Sequence, residues 1–408
     1  MTTRQSNPQA PPGALGDSHN FGRRVARKNG RISKPRTLLW EWLLLSADSP
    51  LRRLLNEVAA HDGLGLQAFD FLPTLRFFDH EAAHGGEVEE LQLEPLRARS
   101  AESRRELAAI VGRSLALWSW LGVADLHWEN LVLGVNASGR TVFGPLDIEM
   151  ILADLSLPTE TKLLPDADPE YADVCRHAAG LRRVLPYLGK PVQATDLLAM
   201  TAAYRVTLAC LDRNAPAIAE VFASLPGLRE TPLRLLLRST SEYVHAHAHA
   251  KRLWPPLLDA ESEQLARGDI PYFFRLYGRA GIHYYANSQL SEILQLPTRG
   301  DVPQLDPILS VSRGLRSPAR KKLRQDGLFT LLGAFDHRSL TGKHESDDLS
   351  ITFSARKLVV TFAGGDELET GRNLRAFVGS LYLPCACGEV GSVFVPPTTV
   401  CTAARGSV

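Results

Sequence analysis

The sequence predicts an α+β protein, because helical and strand-like patterns occupy separate stretches of the chain. Three hairpins are indicated by paired β-rich runs, and a long region between the second and the third has helical spacing. The predicted order is a disordered tail over residues 1–14, a small β-rich lobe over 15–98, a mainly helical lobe with an embedded hairpin over 99–295, and a C-terminal β-containing extension over 296–408.

The β-rich lobe begins with a hairpin that turns at Asn29-Gly30, a pair that readily adopts the positive φ angles of a type I′ turn. The next segment, residues 37–61, carries apolar residues at helical spacing with a break at Ser49-Pro50. The run FDFLPTLRFF, residues 69–78, predicts a buried strand interrupted by its proline.

The helical lobe begins with an amphipathic helix over residues 103–122. It is predicted to end at Gly122, because glycine is favoured just past a helix C-terminus. Trp118 and Trp120 on this helix are predicted to be core residues rather than residues that stack on a substrate. A hairpin over residues 130–150 follows, and residues 165–267 are mostly helical by pattern. The third hairpin is predicted within residues 348–367 of the extension.

The composition is that of an ordinary globular protein, with 44% apolar and 22% charged residues. A formal net charge of +1 gives no overall field that would recruit nucleic acid or an anionic membrane surface. Five unevenly spaced cysteines fit reduced thiols better than a disulfide framework. The first residues are polar and rich in proline, unlike a signal peptide, and no apolar run is long enough to span a bilayer. We therefore expect a cytoplasmic protein without nucleic-acid or membrane partners.

A cluster of polar residues surrounds the second hairpin. Asp125, His127 and Asn130 lie within six residues, directly after the predicted helix. Asp147 and Glu149 follow on the return strand, where alternation is expected to point both carboxylates to one side. Pairing of the two strands brings these acids back beside Asp125 and Asn130. The sequence therefore predicts three carboxylates, an amide and an imidazole in one small volume.

Such a cluster is costly unless a cation or a substrate relieves the repulsion between its carboxylates. Oxygen ligands from Asp and Asn suit Mg²⁺, so Asn130 and Asp147 are predicted as its ligands and Asp125 as the residue that orients or deprotonates a hydroxyl. Kinases use the same order of residues, which predicts a bilobal kinase-like fold. The spacing D-x-H-x-x-N followed by D-x-E is closer to the lipid-kinase version. Polar residues on the surface of a hairpin are the alternative interpretation.

A kinase also needs a cation that binds the phosphates of the nucleotide. Lys34, at the end of the first hairpin, is the candidate, because a sheet lysine above the nucleotide is the usual solution. The upstream segment GDSHNFGRR offers a turn of small residues whose backbone N–H groups are expected to approach phosphate. Its candidate side chains for binding nucleotide or phosphate are Asp17, His19 and Arg23.

Taken together, these segments resemble the dehydratase domain of class II lanthipeptide synthetases (LanM type), which has a lipid-kinase-like fold. The resemblance covers about residues 16–280, and its motifs occur in the order found in the family. They are GDSHNFGRR (16–24), KPR (34–36), DLHWEN (125–130), LDIE (146–149), RSTSEY (238–243) and GDIPYF (268–273).

The resemblance implies an enzyme that uses ATP and Mg²⁺ to phosphorylate Ser or Thr of a precursor peptide and then eliminates phosphate at the same site. By position, Asp125 would be the catalytic Asp, and His127 and Asn130 would complete the catalytic loop. Asn130 and Asp147 would bind Mg²⁺, with Glu149 beside them. The residues that would serve nucleotide and phosphate are Lys34, Asp17 and His19.

Some parts of the family pattern have no counterpart in this sequence: the long helical region before the first motif and the C-terminal zinc cyclase. In the family an Arg and a Thr around the DIPYF segment assist elimination, whereas Gly268 and Phe274 occupy those places here, with Arg267 displaced by one position. The sequence therefore predicts phosphoryl transfer without predicting elimination.

A complete peptide dehydratase, a small-molecule kinase and a pseudokinase scaffold remain alternatives. The acceptor is a precursor peptide or a small hydroxyl compound, and a separate recognition or modifying protein is a further expected partner.

Two other groups of residues suggest metal binding less strongly. His245, His247 and His249 lie on a predicted helix, where only the first and last share a face, so a solvated helix is the preferred interpretation. A second group, Cys385, Cys387 and Cys401, offers three thiolates without an evident fourth ligand.

Overall fold

The computed structural model describes residues 14–371 except positions 66, 81, 83, 98–99, 153–160, 165–178, 190, 236, 239, 250–256, 277–278, 298–326, 329–330, 336 and 338. This part of the chain combines helices with antiparallel sheets, which agrees with the predicted α+β class. The tail before Ala14 lies outside the described residues, as does the second metal candidate, Cys385, Cys387 and Cys401.

A five-stranded antiparallel sheet forms the amino-terminal part of the fold, with the strand order β1-β2-β3-β5-β4. Its strands are β1 (Ala14–His19), β2 (Arg23–Lys28), β3 (Arg31–Lys34), β4 (Phe77–Phe78) and β5 (Gly86–Glu89). Asn29 and Gly30 both have positive φ angles, 52° and 72°, which confirms the predicted hairpin between β2 and β3. Lys34 is the last residue of β3, just before the segment that leads to the first helix.

Two helices follow this hairpin, α1 (Leu39–Leu45) and α2 (Pro50–His61). The predicted break between them is confirmed: the Ser49 hydroxyl caps α2 by accepting a hydrogen bond from the Arg52 amide at 3.0 Å. α1 is almost entirely buried, and it carries one acid, Glu41, which has no solvent exposure.

The predicted strand over residues 69–78 is wrong for most of its length. Residues 67–72 form successive turns, and only Phe77–Phe78 pair as a strand. The Leu72 amide bonds to the Phe69 carbonyl at 3.1 Å, which closes a turn. An apolar run is buried equally well in a compact turn, so its hydrophobicity alone does not specify a strand.

The next elements carry the central polar cluster. Helix α3 (Ala101–Leu121) ends, as predicted, at Gly122, whose φ of 66° is left-handed. Trp118 and Trp120 are 0% and 2% exposed, which confirms them as core residues. Strands β6 (Leu131–Val135) and β7 (Thr141–Pro145) then pair as the predicted hairpin.

Short and long helices make up most of the region that was predicted to be helical, in so far as it is described. They are α4 (Leu185–Leu188), α5 (Ala194–Arg213), α6 (Ala215–Ser224), α7 (Thr240–His249) and α8 (Asp259–Ala266). Helices α3 and α5 pack very closely, because a Cβ atom on Gly112 would lie 2.2 Å from the Met200 carbonyl oxygen.

A strand that the sequence pattern did not indicate, β8 (Pro232–Leu235), interrupts these helices. It is the edge of a four-stranded antiparallel sheet of order β11-β10-β9-β8, whose other strands are β9 (Phe273–Leu276), β10 (Arg279–Tyr285) and β11 (Ile293–Gln295). The Arg234 amide in β8 donates to the Glu149 carbonyl at 3.0 Å. This bond ties the sheet to the segment that follows β7.

The C-terminal extension contains a second four-stranded antiparallel sheet, in which neighbours in sequence are neighbours in space. Its strands are β12 (Gly342–Glu345), β13 (Leu349–Phe353), β14 (Lys357–Phe362) and β15 (Glu367–Gly371). Pairing of β13 with β14 confirms the third predicted hairpin. Buried residues of β13 and β14 belong to the same hydrophobic core as α1, α3 and α5. Among the helices of the described segments, none combines the length and the apolar character needed to cross a bilayer.

Candidate functional site

Lys34 lies at the centre of the polar cluster. Its Nζ donates hydrogen bonds to Glu41 Oε1 at 2.9 Å, to the Leu146 carbonyl at 2.8 Å and to Asp147 Oδ1 at 3.2 Å. The ammonium therefore joins the first sheet, helix α1 and the segment after β7. Glu41 also accepts a hydrogen bond from the Ile148 amide at 3.1 Å, so this buried acid fixes both the lysine and the 146–149 segment.

Arg36 is the second cation of the cluster. Its Nε donates to Glu149 Oε1 at 2.7 Å, and one terminal nitrogen contacts both Glu41 Oε1 and Asp147 Oδ1. Asp147 and Glu149 therefore do converge, but they lie beyond Pro145, the last residue of β7, and not on the return strand as predicted. Beyond β7 two side chains bond the main chain where a strand partner would otherwise do so: the Leu146 carbonyl accepts from Lys34, and the Ile148 amide donates to Glu41.

Arg234 is the third cation. Its NH1 donates to Glu149 Oε2 at 2.9 Å, and its NH2 lies 3.5 Å from His19 Nε2. His19 Nδ1 lies 2.8 Å from the Ile270 carbonyl, which can only accept, so Nδ1 carries the proton and Nε2 accepts from Arg234. The imidazole is therefore held in one orientation from both sides.

Asp125 lies in the loop after α3 with a φ of 63°, a left-handed conformation that is uncommon for a residue with a side chain. The Asn130 amide donates to the Asp125 carbonyl at 2.9 Å and lies 3.4 Å from Asp125 Oδ2. His127 Nδ1 accepts from the Glu129 amide at 3.3 Å, which leaves Nε2 as the protonated nitrogen, 3.9 Å from Asp125 Oδ1. This loop thus presents the Asp125 carboxylate with an amide on one side and an imidazole on the other.

The electrostatic environment shifts the pKa values of the carboxylates of the cluster in different directions. Burial raises the pKa of Asp125, and nearby Asp147 and Glu149 raise it further against the opposing effects of His127 and Arg234. For Asp147, burial acts in the same direction but is outweighed by Lys34 and Arg36, which hold its pKa well below the ordinary value. Asp147 is therefore a permanent anion, whereas Asp125 binds a proton more readily.

Two further pKa shifts follow from the same contacts. Burial raises the pKa of Glu41, despite the neighbouring Arg36 and Lys34. Burial lowers the pKa of His19, and Arg234 lowers it further, so the ring stays neutral. A neutral His19 is consistent with Nε2 acting as an acceptor for Arg234.

The loop that follows β1 does not present its backbone N–H groups to solvent, in contrast to what was predicted for phosphate binding. The amides of Phe21 and Gly22 donate to the Asp269 carboxylate at 2.7 and 2.9 Å, and the Ser18 hydroxyl donates to it at 2.7 Å. Positive φ angles at these residues turn the amides toward one anion. The anion is the protein's own buried Asp269, so these amides are already used.

The remaining side chains predicted for phosphate binding lie apart from the central cluster. Arg23 donates to the carbonyls of His84 at 3.2 Å and of Ser288 at 3.0 Å, which directs its guanidinium to neighbouring loops. Asp17 is exposed, and its charge acts on His19. Of the predicted site residues, the structure brings seven together in the cluster: Lys34, which is one of its three cations, and Asp125, His127, Asn130, Asp147, Glu149 and His19.

The donor set fits Mg²⁺ of the kind that is shared with a nucleotide. Within the described part of the chain, no group of three or more His, Cys, Asp or Glu side chains is arranged to hold a metal alone. Asn130 uses its Nδ2 toward Asp125 and keeps its amide oxygen for a ligand, and Asp147 adds a carboxylate. One or two protein oxygens completed by water and phosphate are the usual Mg²⁺ environment, so the two predicted ligands fit the ion.

Four residues of the site were not assigned a role from the sequence: Glu41, Arg36, Arg234 and Asp269. Glu41 did carry a signal, since it is the single acid in the apolar run LLWEWLLL. Arg36 and Asp269 lie within motifs quoted for the resemblance. Arg234 had no sequence signal, because its position depends on the hydrogen bond between β8 and the Glu149 carbonyl.

No protein-family model matches the chain, and a search of curated proteins finds no match.

Proposed function

We propose that this protein is an ATP-dependent phosphotransferase with a bilobal kinase-like fold, and that it transfers the γ-phosphoryl group to Ser or Thr of a precursor peptide. The observation that carries this proposal is the ion pair between sheet Lys34 and buried helix Glu41, which also reaches Asp147. A lysine of the small sheet held by a helix glutamate beside a metal-binding aspartate is the constellation that kinases use for ATP phosphates.

In this proposal each residue has a separate task. Lys34 binds nucleotide phosphate, and Glu41 keeps its ammonium in place. Asp125 orients the acceptor hydroxyl and receives its proton, and its raised pKa suits this task because a base must be able to hold the proton. Asn130 fixes the Asp125 loop through the Asp125 carbonyl.

Asn130 and Asp147 are the residues that would hold Mg²⁺. When bound, the ion neutralises the phosphate oxygens and fixes their orientation. The low pKa of Asp147 keeps this carboxylate ionised at neutral pH, the form that binds a cation. Charge neutralisation and positioning together provide most of the rate enhancement in phosphoryl transfer.

We propose transfer without phosphate elimination. In the family that the sequence resembles, an Arg and a Thr near the DIPYF segment assist elimination. Phe274 is fully buried in β9 and carries no hydroxyl, and Arg267 donates to Glu263 at 2.9 Å while its guanidinium lies 4.0 Å from the centre of the Phe21 ring. These contacts support a structural role for Arg267.

The proposal is tested by intact-mass analysis of Ser- and Thr-containing peptides and small hydroxyl compounds after incubation with Mg·ATP. We expect a gain of one phosphoryl mass with the native protein and none with Asp147→Asn. The matched control is Asp366→Asn, which changes an exposed aspartate in the turn between β14 and β15 and should retain transfer. A net loss of water from a peptide would instead establish the complete dehydratase. Lack of any mass change, with every acceptor, would contradict phosphotransferase activity.

A further inference from the structure

We propose that Arg234 binds the phosphoryl group that is transferred, an inference that rests on the proposed phosphotransferase function. Arg234 lies on β8, and its backbone amide is bonded to the Glu149 carbonyl, so the residue is fixed at main-chain level. Its side chain is 13% exposed, and its guanidinium contacts Glu149 and His19. A fixed, largely desolvated arginine beside the catalytic loop is a strong binding group for an anion.

The charges around Arg234 leave it incompletely neutralised. Glu149 is shared, because its Oε1 accepts from Arg36 at 2.7 Å and its Oε2 accepts from Arg234 at 2.9 Å. Arg36 has two further carboxylate contacts, Glu41 and Asp147, whereas among the described residues Glu149 is the one carboxylate that is hydrogen-bonded to Arg234. His19, the other contact, carries no negative charge in any protonation state and does not offset the guanidinium. The cluster as a whole pairs three cations with four carboxylates, so what Arg234 offers a further anion is its hydrogen-bonding capacity and its share of a divided carboxylate.

The hydrogen-bonding capacity of Arg234 is also incompletely used. Among the described residues its buried Nε has no hydrogen-bond acceptor. A buried donor without an acceptor is destabilising, and a ligand oxygen would relieve this cost. The three oxygens of a phosphoryl group match the fork of N–H donors that a guanidinium presents.

The position of Arg234 favours the transferred phosphoryl group over the other phosphates. Lys34 lies on the Asp147 side of the cluster, whereas Arg234 interacts electrostatically with Asp125, the residue proposed to face the acceptor. The phosphoryl group in transit lies between nucleotide and acceptor, hence between these two cations. Arg234 is thus placed to stabilise the charge on that group without reorganisation.

The competing explanation is that Arg234 only neutralises Glu149. Glu149 would still be paired with Arg36 if Arg234 were replaced, so neutralisation alone does not require a second arginine. The two explanations also predict different behaviour of ATP and ADP. A residue that contacts the terminal phosphoryl group contributes to the affinity for ATP only, whereas a residue that supports the cluster contributes to both affinities.

The experiment is a calorimetric titration, in the presence of Mg²⁺, of a non-hydrolysable ATP analogue and of ADP into native protein, Arg234→Gln and Arg234→Lys. We expect Arg234→Gln to weaken the analogue about ten- to a hundredfold and to change ADP affinity by less than about twofold, because one charged hydrogen-bonding group is lost. Arg234→Lys should give an intermediate loss for the analogue. The matched control, the exposed Arg31→Gln, should leave both affinities unchanged.

Each outcome decides a different point. Equal weakening of both nucleotides by Arg234→Gln, or recovery of analogue affinity in the Arg234→Gln/Glu149→Gln double variant, would show that Arg234 supports Glu149 and overturn the inference. Should Arg234→Gln not fold, Arg234→Lys decides alone, since the inference requires it to weaken the analogue more than ADP. If the native protein binds neither nucleotide, the proposed function itself fails. If it binds the analogue and Arg234→Gln binds it equally well, the inference alone fails.

Discussion

Asp125 combines an unfavourable backbone conformation with the position proposed for the catalytic carboxylate. A left-handed φ costs a non-glycine residue about 1 kcal/mol, and the loop supports it through the Asn130 bond to the Asp125 carbonyl. The side chain also lies among other carboxylates, which raise its pKa. Both features disfavour Asp125 on stability grounds, so a functional role is the simplest physical reason for an aspartate here.

Replacing Asp125 separates backbone strain from chemistry. Both Asp125→Gly and Asp125→Ala should abolish phosphoryl transfer, because each removes the carboxylate. Asp125→Gly should nevertheless be more stable than Asp125→Ala by about 1 kcal/mol, since only glycine accepts a φ of 63° without strain. Urea denaturation measures the difference in unfolding free energy. Equal stability of the two variants would contradict the strained conformation.

At this scale the sequence predicted which residues lie in the polar cluster better than it predicted the contacts between them. Asp125, Asn130 and Asp147 follow from the spacing of polar residues around one hairpin, which is a local property. Glu41 and Arg234 do not, because each reaches the cluster through a contact between elements far apart in the chain. No spacing rule encodes such a contact, so the counter-ions of the cluster required the three-dimensional structure.

Helices α3 and α5 approach each other closely at Gly112. A side chain on Gly112 has no room, because its Cβ would lie 2.2 Å from the Met200 carbonyl oxygen and 3.0 Å from the Tyr204 amide nitrogen. These are main-chain atoms of a helix, so they cannot move aside as a flexible side chain would. The packing of α3, the helix that leads into the loop of Asp125, therefore depends on this glycine.

The variant Gly112→Ala should reduce the unfolding free energy by about 1–3 kcal/mol, the usual cost of overpacking a core, in spite of the higher helix propensity of alanine. Thermal and urea denaturation provide the measurement. Gly364→Ala serves as the control, because a Cβ there meets no atom within 4 Å and should leave stability unchanged. A more stable Gly112→Ala variant would show that the two helices lie farther apart.

Elements with strong local signals were predictable. The turn at Asn29-Gly30 and the helix end at Gly122 depend on residues that favour one backbone conformation in any context. The strand predicted for the run FDFLPTLRFF was wrong because apolar character indicates burial and does not specify backbone geometry. Strand β8 was missed for a related reason: it is short, and its partners are β9 and the Glu149 carbonyl, both distant in sequence.

At the scale of the whole molecule, the sheet formed by β12 to β15 contributes to the main hydrophobic core. Ile351, Phe353 and Val360 are at most 2% exposed and belong to one cluster with Trp40 and Trp118. A sheet that shares its core with α1 and α3 should unfold together with them. The sequence predicted this β structure but gave no sign of what its apolar face would contact.

Ile351→Ala tests this shared core. Removal of a fully buried isoleucine should lower the unfolding free energy by about 2–4 kcal/mol. The loss should appear equally in far-ultraviolet circular dichroism and in tryptophan fluorescence, because strand β13 and the buried tryptophans share one core. Thr352→Ala, on the opposite side of the same strand, should have a small effect. An early transition in circular dichroism, with unchanged fluorescence, would mean that the sheet unfolds independently.

Asp269 and Ile270 hold the loop after β1 across a separation of 251 residues in the chain, through Ser18 and His19. On a ribosome that adds about 5–20 residues per second, Ser18 would wait roughly 10–50 s for its partner. During synthesis, therefore, the loop amides and the His19 ring have no native acceptor, and Arg234 has no ordered imidazole beside it. The polar cluster could therefore not reach its native arrangement until the chain had been made as far as Asp269 and Ile270.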